Sequence, residues 1–237
     1  MSACGQGAGN FAQSHTPTGA KTVFVAIGGS EFAGPSVSGG GHQDWTQLFF
    51  ARDLSGRSTL YEMSAPDGSY VEDLLSGELS QALALHPDLV AVWVGLPDLL
   101  GGMPAASFEY DLQQVLTRLD SAHARVLVAN LLPIYRFSDY ATCQPEPAAC
   151  GLSAGELPPS AQLATEVSSY DQAVSAAASG HRASVVNLTA AFTSHLGTGG
   201  PAAPSALVDR TDLGLTAAGE QLVAETFESA YSASRRS

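Results

Sequence analysis

The sequence predicts an α/β protein, a single domain in which a five-stranded parallel sheet lies between two layers of helices. Three observations carry this. Short apolar, β-branched runs recur along the 237 residues, segments of helical period separate them, and no internal repeat or second-domain linker breaks the alternation. Strands covered on both faces are apolar throughout rather than alternating, and this is how these runs read. Hydrophobic residues make up 45% of the chain and charged residues 14%, a composition that supports a packed core and excludes disorder.

The elements follow in order. Residues 22–27 (TVFVAI) predict a first buried strand, ending at Gly28-Gly29. Residues 44–54 have helical spacing, with Asp44 as N-cap. Residues 58–63 predict a second strand, and Asp67-Gly68 a turn. Residues 70–85 read as one amphipathic helix stopped by Pro87, and residues 89–94 (LVAVWV) as the clearest buried strand. Gly95, Pro97, Gly101, Gly102 and Pro104 predict a loop, followed by a helix over 108–122 that carries Phe108, Leu112, Val115 and Leu119 along one side. A fourth strand is expected at 125–130. Residues 131–160 form a long Pro-rich excursion of the kind that serves as a lid or binding loop. A helix at 164–179, a fifth strand at 183–187 and a last helix at 216–229 complete the pattern. In such a sheet, ligands bind beyond the carboxyl ends of the strands, near the switch in strand order.

The net charge is −13 and Lys21 is the only lysine, so the surface as a whole repels nucleic acid and anionic lipid headgroups; neither is expected as a partner. No stretch approaches the roughly 20 apolar residues of a membrane span. Ser2-Ala3-Cys4-Gly5 looks like the end of a bacterial lipobox, and the Gly-, Ser- and Thr-rich residues after it read as a tether. Residues 1–20 are therefore expected to be a flexible segment anchored through a lipid on Cys4, and residues 21–237 the domain. Cys143 and Cys150 share one Pro-rich loop, where an oxidising compartment would let them close a small disulfide. With no further Cys or His in that loop a zinc site is not expected, and neither metal nor organic cofactor is implied elsewhere.

The first strand runs into Ile27-Gly28-Gly29-Ser30-Glu31. A serine on a Gly-rich strand-to-helix turn can stand at the sheet edge, although this segment alone reads as well as a structural turn. Phosphate-cradling patterns are absent. The other strand ends change the balance. Pro66-Asp67-Gly68-Ser69 follows the second strand and precedes a helix. Gly95-Leu96-Pro97-Asp98 follows the third, and Thr211-Asp212-Leu213-Gly214-Leu215-Thr216 precedes the last helix with Gly219. In order and spacing these four blocks resemble the SGNH/GDSL ester hydrolases. That family carries Gly-Asp-Ser after the first strand, a glycine after the second, Gly-x-Asn-Asp after the third, and Asp-x-x-His before a Thr/Ser and Gly that open the last helix. The resemblance spans residues 21–231 and is strongest in the third block. It implies a flavodoxin-like strand order, an α/β/α fold, Ser30 as nucleophile, and backbone N–H groups of Ser30 and Gly68 as oxyanion donors.

The departures matter as much. Pro97 stands at the asparagine position and offers neither a side-chain donor nor a backbone N–H. Gly214 stands at the histidine position, Thr211 at that of its orienting aspartate, with Asp209 and Asp212 nearby, and Gly29 replaces the first-block aspartate. A serine hydroxyl is a poor nucleophile without a base. Losing the histidine costs roughly 10⁶ in turnover in a serine protease, and one oxyanion donor roughly 10²–10³. Of the histidines, His86, His123 and His181 precede strands, at the wrong end of the sheet, and His15 lies in the tether. His42, in the loop after Ser30, and His195, in a Gly/Pro-rich stretch after the fifth strand, are the candidates for a relocated base. Phe32, Trp45, Tyr135 and Tyr140 fall near the same end of the sheet, Trp45 as expected helix core. The expectation is an exported ester hydrolase domain with little or no turnover that takes a small acyl ester, an acetylated glycan or a lipid-like ligand. The alternatives are a non-catalytic surface lipoprotein that binds a ligand or partner, and an active esterase based on His195 or His42.

Overall fold

The apolar runs fold as read, because a strand covered on both faces has no polar side to show. The computed structural model describes residues 22–28, 44–54, 58–64, 69–137, 140–150, 157–196, 207–208 and 213–236. Strands β1 (Thr22–Gly28), β2 (Ser58–Ser64), β3 (Leu89–Trp93), β4 (Arg125–Ala129) and β5 (Ala183–Val186) pair in parallel in the order β2-β1-β3-β4-β5. The order reverses between β1 and β3. Register partners form one row along the carboxyl-end rim, Ser64, Gly28, Trp93, Ala129 and Val186. The segments that follow β1, β2 and β3, and with them three of the sequence-predicted blocks, start from this rim.

Two helical layers cover the sheet. On one face α1 (Trp45–Phe49), continued as a π-helical turn over Phe50–Leu54, packs on α9 (Ala217–Ser234), and α8 (Leu188–Leu196) lies beside α9. Asp44 caps α1 by accepting the Gln47 N–H at 2.9 Å, as read. Trp45 is fully buried, stacked on Phe227 with ring centroids 4.1 Å apart and meeting Trp93 edge-on. On the other face lie α2 (Val71–Ser76), α3 (Glu78–Ala84), α5 (Ala105–Ser121) and α7 (Ser160–Ser179).

Four element readings need correction. The helix expected at 70–85 is two, broken at Gly77, whose φ of −119° and ψ of −93° leave the helical region. The loop expected after the third strand contains a helical turn, α4 (Leu96–Leu100), started by a left-handed Gly95 at φ 119°. A Cβ at Gly95 would lie 3.0 Å from the Phe108 ring and 3.2 Å from Leu131, so only glycine fits this turn. His195 sits in the last turn of α8, not in a loop. The excursion from 131 onward is pinned by the short helix α6 (Tyr140–Cys143) and by 3₁₀ turns at Ile134–Arg136 and Pro147–Cys150. The α5 and α7 helices also begin three to four residues earlier than read, directly after Pro104 and Pro159, and α9 runs on to Ser234.

Candidate active site

The third block is best defined. Gly95 turns the chain out of the sheet two residues beyond Trp93, and α4 follows at once. Pro97, at its second position, needs no N–H there and is buried, so the place the resemblance gives to an amide donor is filled by an apolar ring. Asp98 is fully buried. Its Oδ1 accepts the Val71 N–H at 2.9 Å, across 27 residues of sequence, which fixes the start of α2 against α4. Its Oδ2 has no hydrogen-bond partner among the described residues. Burial pushes the carboxyl up to about 6, against the pull of the Val71 N–H, and Asp111 and Asp73 add to the rise. The second-block glycine, Gly68, lies three residues before Val71 in sequence, so Asp98 ties the helix that follows the second block to the third block.

The last block opens α9 as read. Thr216 caps the helix by accepting the Gly219 N–H at 3.3 Å, and its own N–H donates to the Leu207 carbonyl at 3.0 Å. A Cβ on Gly219 would collide with that Leu207 carbonyl oxygen. Leu213, buried, adopts a left-handed φ of 55°, and Leu215 bridges Val208 in antiparallel fashion. Gly214 lies between them.

Sequence reading missed the way α1 and α9 are joined. Glu220, 1% exposed, accepts the Trp45 N–H through Oε2 at 2.9 Å, across 175 residues. It thereby satisfies an orphan donor at the start of α1 from the first turn of α9. Burial pushes Glu220 up to about 7, with Asp44 adding to the rise. Glu62 on β2 is also raised to about 7, first by burial and then by Asp44, while the Thr46 hydroxyl contacts both carboxylates. No local pattern marks such a pair.

At the ends of β4 and β5, Asn130 donates through Nδ2 to Asn187 Oδ1 at 3.1 Å and accepts the Thr189 N–H at 3.2 Å. The Thr189 hydroxyl donates to the Leu131 carbonyl at 2.6 Å. This closed network fastens the start of α8 to the excursion. His195 is exposed, and its Nδ1 lies 2.9 Å from the Ala191 carbonyl oxygen. A carbonyl only accepts, so that bond puts the proton on Nδ1 and leaves Nε2 with its lone pair. No carboxylate pairs with His195 among the described residues. The one ion-paired histidine there is His181, with Nδ1 2.8 Å from Asp120 Oδ2, at the amino end of the sheet.

Cys143 and Cys150 form the expected disulfide, with their Cα atoms 5.8 Å apart. Tyr140 is buried and its hydroxyl donates to the Pro158 carbonyl at 2.7 Å, so it packs the excursion down; Tyr135 is half-buried. Ser30, Gly68, His42, Phe32, Cys4, Thr211, Asp209 and Asp212 lie outside the described residues. No group of three or more metal-ligating side chains occurs among the described residues.

Comparison with known proteins agrees with this frame. An α/β-hydrolase enzyme from the metagenome of Lake Arreo, Spain, is 20% identical with a TM-score of 0.65, over 90% of this chain and 96% of that one. An acetylxylan esterase of Geobacillus stearothermophilus, in the form of a catalytic mutant, is 15% identical with a TM-score of 0.65, over 90% and 94%. A further acetyl xylan esterase is 18% identical with a TM-score of 0.65, over 88% and 98%. At these identities the likeness speaks for the fold. No curated protein matches this sequence. The sequence model of the GDSL-like lipase/acylhydrolase family, by contrast, matches residues 26–222, most of the sheet and every strand-end block. The chain belongs to the GDSL-like lipase/acylhydrolase family.

Proposed function

We propose that this is an exported member of the family whose hydrolytic set is incomplete, so that it holds an ester or acetylated ligand at Ser30 and Gly68 with weak or no turnover. The observation that carries the reading is the third block. There the buried ring of Pro97 occupies the asparagine position, while Asp98 next to it keeps its inward, hydrogen-bonded place. Gly214 at the histidine position supports the same conclusion, because a hydroxyl with no base keeps its proton. The acetylxylan esterases among the structural neighbours favour a small acyl group, such as an acetylated glycan, over a long-chain lipid. The Cys143–Cys150 disulfide supports an oxidising compartment and, with the lipobox-like Ser2-Ala3-Cys4, an anchored extracytoplasmic protein.

His195 supports a second reading, in which a relocated base drives slow hydrolysis through an acyl-Ser30 intermediate. Its Nε2 is free to accept a proton, but no carboxylate among the described residues steadies the imidazolium that would form. Fluorophosphonate labelling and p-nitrophenyl acetate turnover decide between the two. Turnover within tenfold of the buffer rate, unchanged in Ser30→Ala, is expected. Brisk Ser30-dependent turnover that disappears in His195→Ala or His42→Ala would establish the second reading instead.

A further inference from the structure

The opposite end of the sheet carries a second cavity, of about 730 Å³, that the hydrolase reading does not use. It lies where β1, β3, β4 and β5 begin and where α9 ends, and Arg125, Arg182, His123, His181, Ser184 and Ser234 line it. We propose that this cavity binds a phosphate-type oxyanion, free or borne on a larger ligand.

The charge distribution is the first support. The protein has ten Lys and Arg against 23 Asp and Glu, yet two of the arginines the structure describes, Arg125 and Arg182, line this one cavity, and Arg235 lies over its Tyr231. His86, His123 and His181 each precede a strand there as well. A cationic end on an anionic molecule is costly to keep at random, and it focuses anions towards one place.

The second support is that Arg52 and Arg118 are engaged within the chain, whereas, among the described residues, the head groups of Arg125 and Arg182, in the cavity, are not. Arg52 pairs with Glu225 at 3.6 Å, and Arg118 donates to the Leu75 carbonyl at 2.8 Å and to Ser80 Oγ at 3.0 Å. Arg125 and Arg182 are exposed, and no carboxylate lies within 4.0 Å of either head group among the described residues. Two carboxylates at this end hold donors of their own, although one of them, Asp88, also lines the cavity. Asp88 Oδ2 accepts the Val23 N–H at 2.7 Å, while Asp120 takes His181 Nδ1 at 2.8 Å and the Arg182 N–H at 3.1 Å. Asp120 thus fixes both the His181 ring and the Arg182 backbone, and the guanidinium forks remain for a ligand.

The third support is the fit to a tetrahedral oxyanion rather than to a bare charge. Two guanidinium groups supply planar donor forks suited to phosphate, and the Ser184 hydroxyl adds a neutral donor from β5. Tyr231 adds an aromatic wall, its ring covered by Arg235 at 5.7 Å. The general repulsion of anionic surfaces, which follows from the net charge, does not extend to this end.

The test titrates the full chain with inorganic phosphate by calorimetry and by amide chemical shifts, alongside the variant Arg125→Gln/Arg182→Gln and the control Arg52→Gln. Saturable phosphate binding is expected in the parent and in the control. It should weaken roughly 100-fold in the double variant, about tenfold for each charge-assisted hydrogen-bonding group removed, with unchanged thermal stability in the absence of phosphate. A second arm measures sedimentation with vesicles of phosphatidylglycerol in phosphatidylcholine. Vesicle association that disappears in the double variant assigns a lipid headgroup, and phosphate binding without association assigns a soluble phosphorylated ligand. If the parent shows neither, or if the double variant binds as well as the parent, the proposal is wrong. Because the readout is binding at the far end of the sheet, it is independent of whether Ser30 turns over esters.

Discussion

Asp98→Asn isolates the cost of a buried charge. The carboxyl is fully buried, keeps one hydrogen bond to Val71, and is raised from 3.8 to about 6 chiefly by desolvation. The folded chain therefore holds this proton more tightly than the unfolded chain does. As pH rises from below 4 to above 6, the unfolded state releases the proton first and gains stability relative to the native state. With one pKa unit equivalent to 1.36 kcal/mol, the group withdraws about 3 kcal/mol of stability over that window. Asparagine keeps an acceptor for the Val71 N–H but carries no charge, and its buried amide N–H₂ costs about 1–3 kcal/mol at every pH. That constant cost cancels in a comparison across pH. Urea unfolding of parent and variant at pH 3.5 and pH 7.5 should show the difference in unfolding free energy moving by about 3 kcal/mol in favour of the variant at the higher pH. A difference that stays within about 0.5 kcal/mol, or that moves the other way, would refute the assignment of a desolvated carboxylate at this position.

Three further outcomes follow from the same geometry. Glu220→Gln preserves an acceptor for the Trp45 N–H and removes a carboxyl raised to about 7, so the parent's loss of stability between pH 5 and pH 8, on the order of 3 kcal/mol from this residue, should flatten in the variant when followed by urea unfolding. Gly219→Ala drives a methyl into the Leu207 carbonyl oxygen and should destabilise by roughly 1–3 kcal/mol in the same assay, whereas Gly180→Ala, with open space around it, should cost well under that. Restoring Gly214→His and Thr211→Asp together with Pro97→Asn should raise Ser30-dependent p-nitrophenyl acetate turnover by at least ~10²-fold; no gain from a folded triple variant would argue against the impaired-hydrolase reading.

The sheet was legible because strands buried on both faces have nothing polar to confuse the pattern, and all five appear within a residue or two of their expected ends. Helix interruptions were not legible. The Gly77 break falls inside an unbroken amphipathic pattern, and α4 owes its start to the left-handed Gly95 and its packing partners Phe108 and Leu131, none of which shows in a Gly/Pro-rich stretch. The site divides the same way. Its blocks could be found because three sit at strand ends and the fourth opens the last helix, in a fixed order. The bonds that fasten the starts of α2 and α1 beside them join residues 27 and 175 positions apart, and no local spacing encodes them. The cationic rim was hidden by the net charge, because a total over the chain says nothing of where the few positive groups gather.

The clasp between Trp45 and the helix that ends the domain has a consequence for biogenesis. Trp45 stacks on Phe227 and Phe49 meets Tyr231 edge-on, so α1 takes its aromatic cover from α9, far along the chain. Until α9 has been synthesised, the apolar face of α1 lacks that cover, and the part of the fold around β1 and α1 cannot pack fully. Until α9 emerges, those aromatic faces stay open to solvent and depend on whatever shields them in the interval.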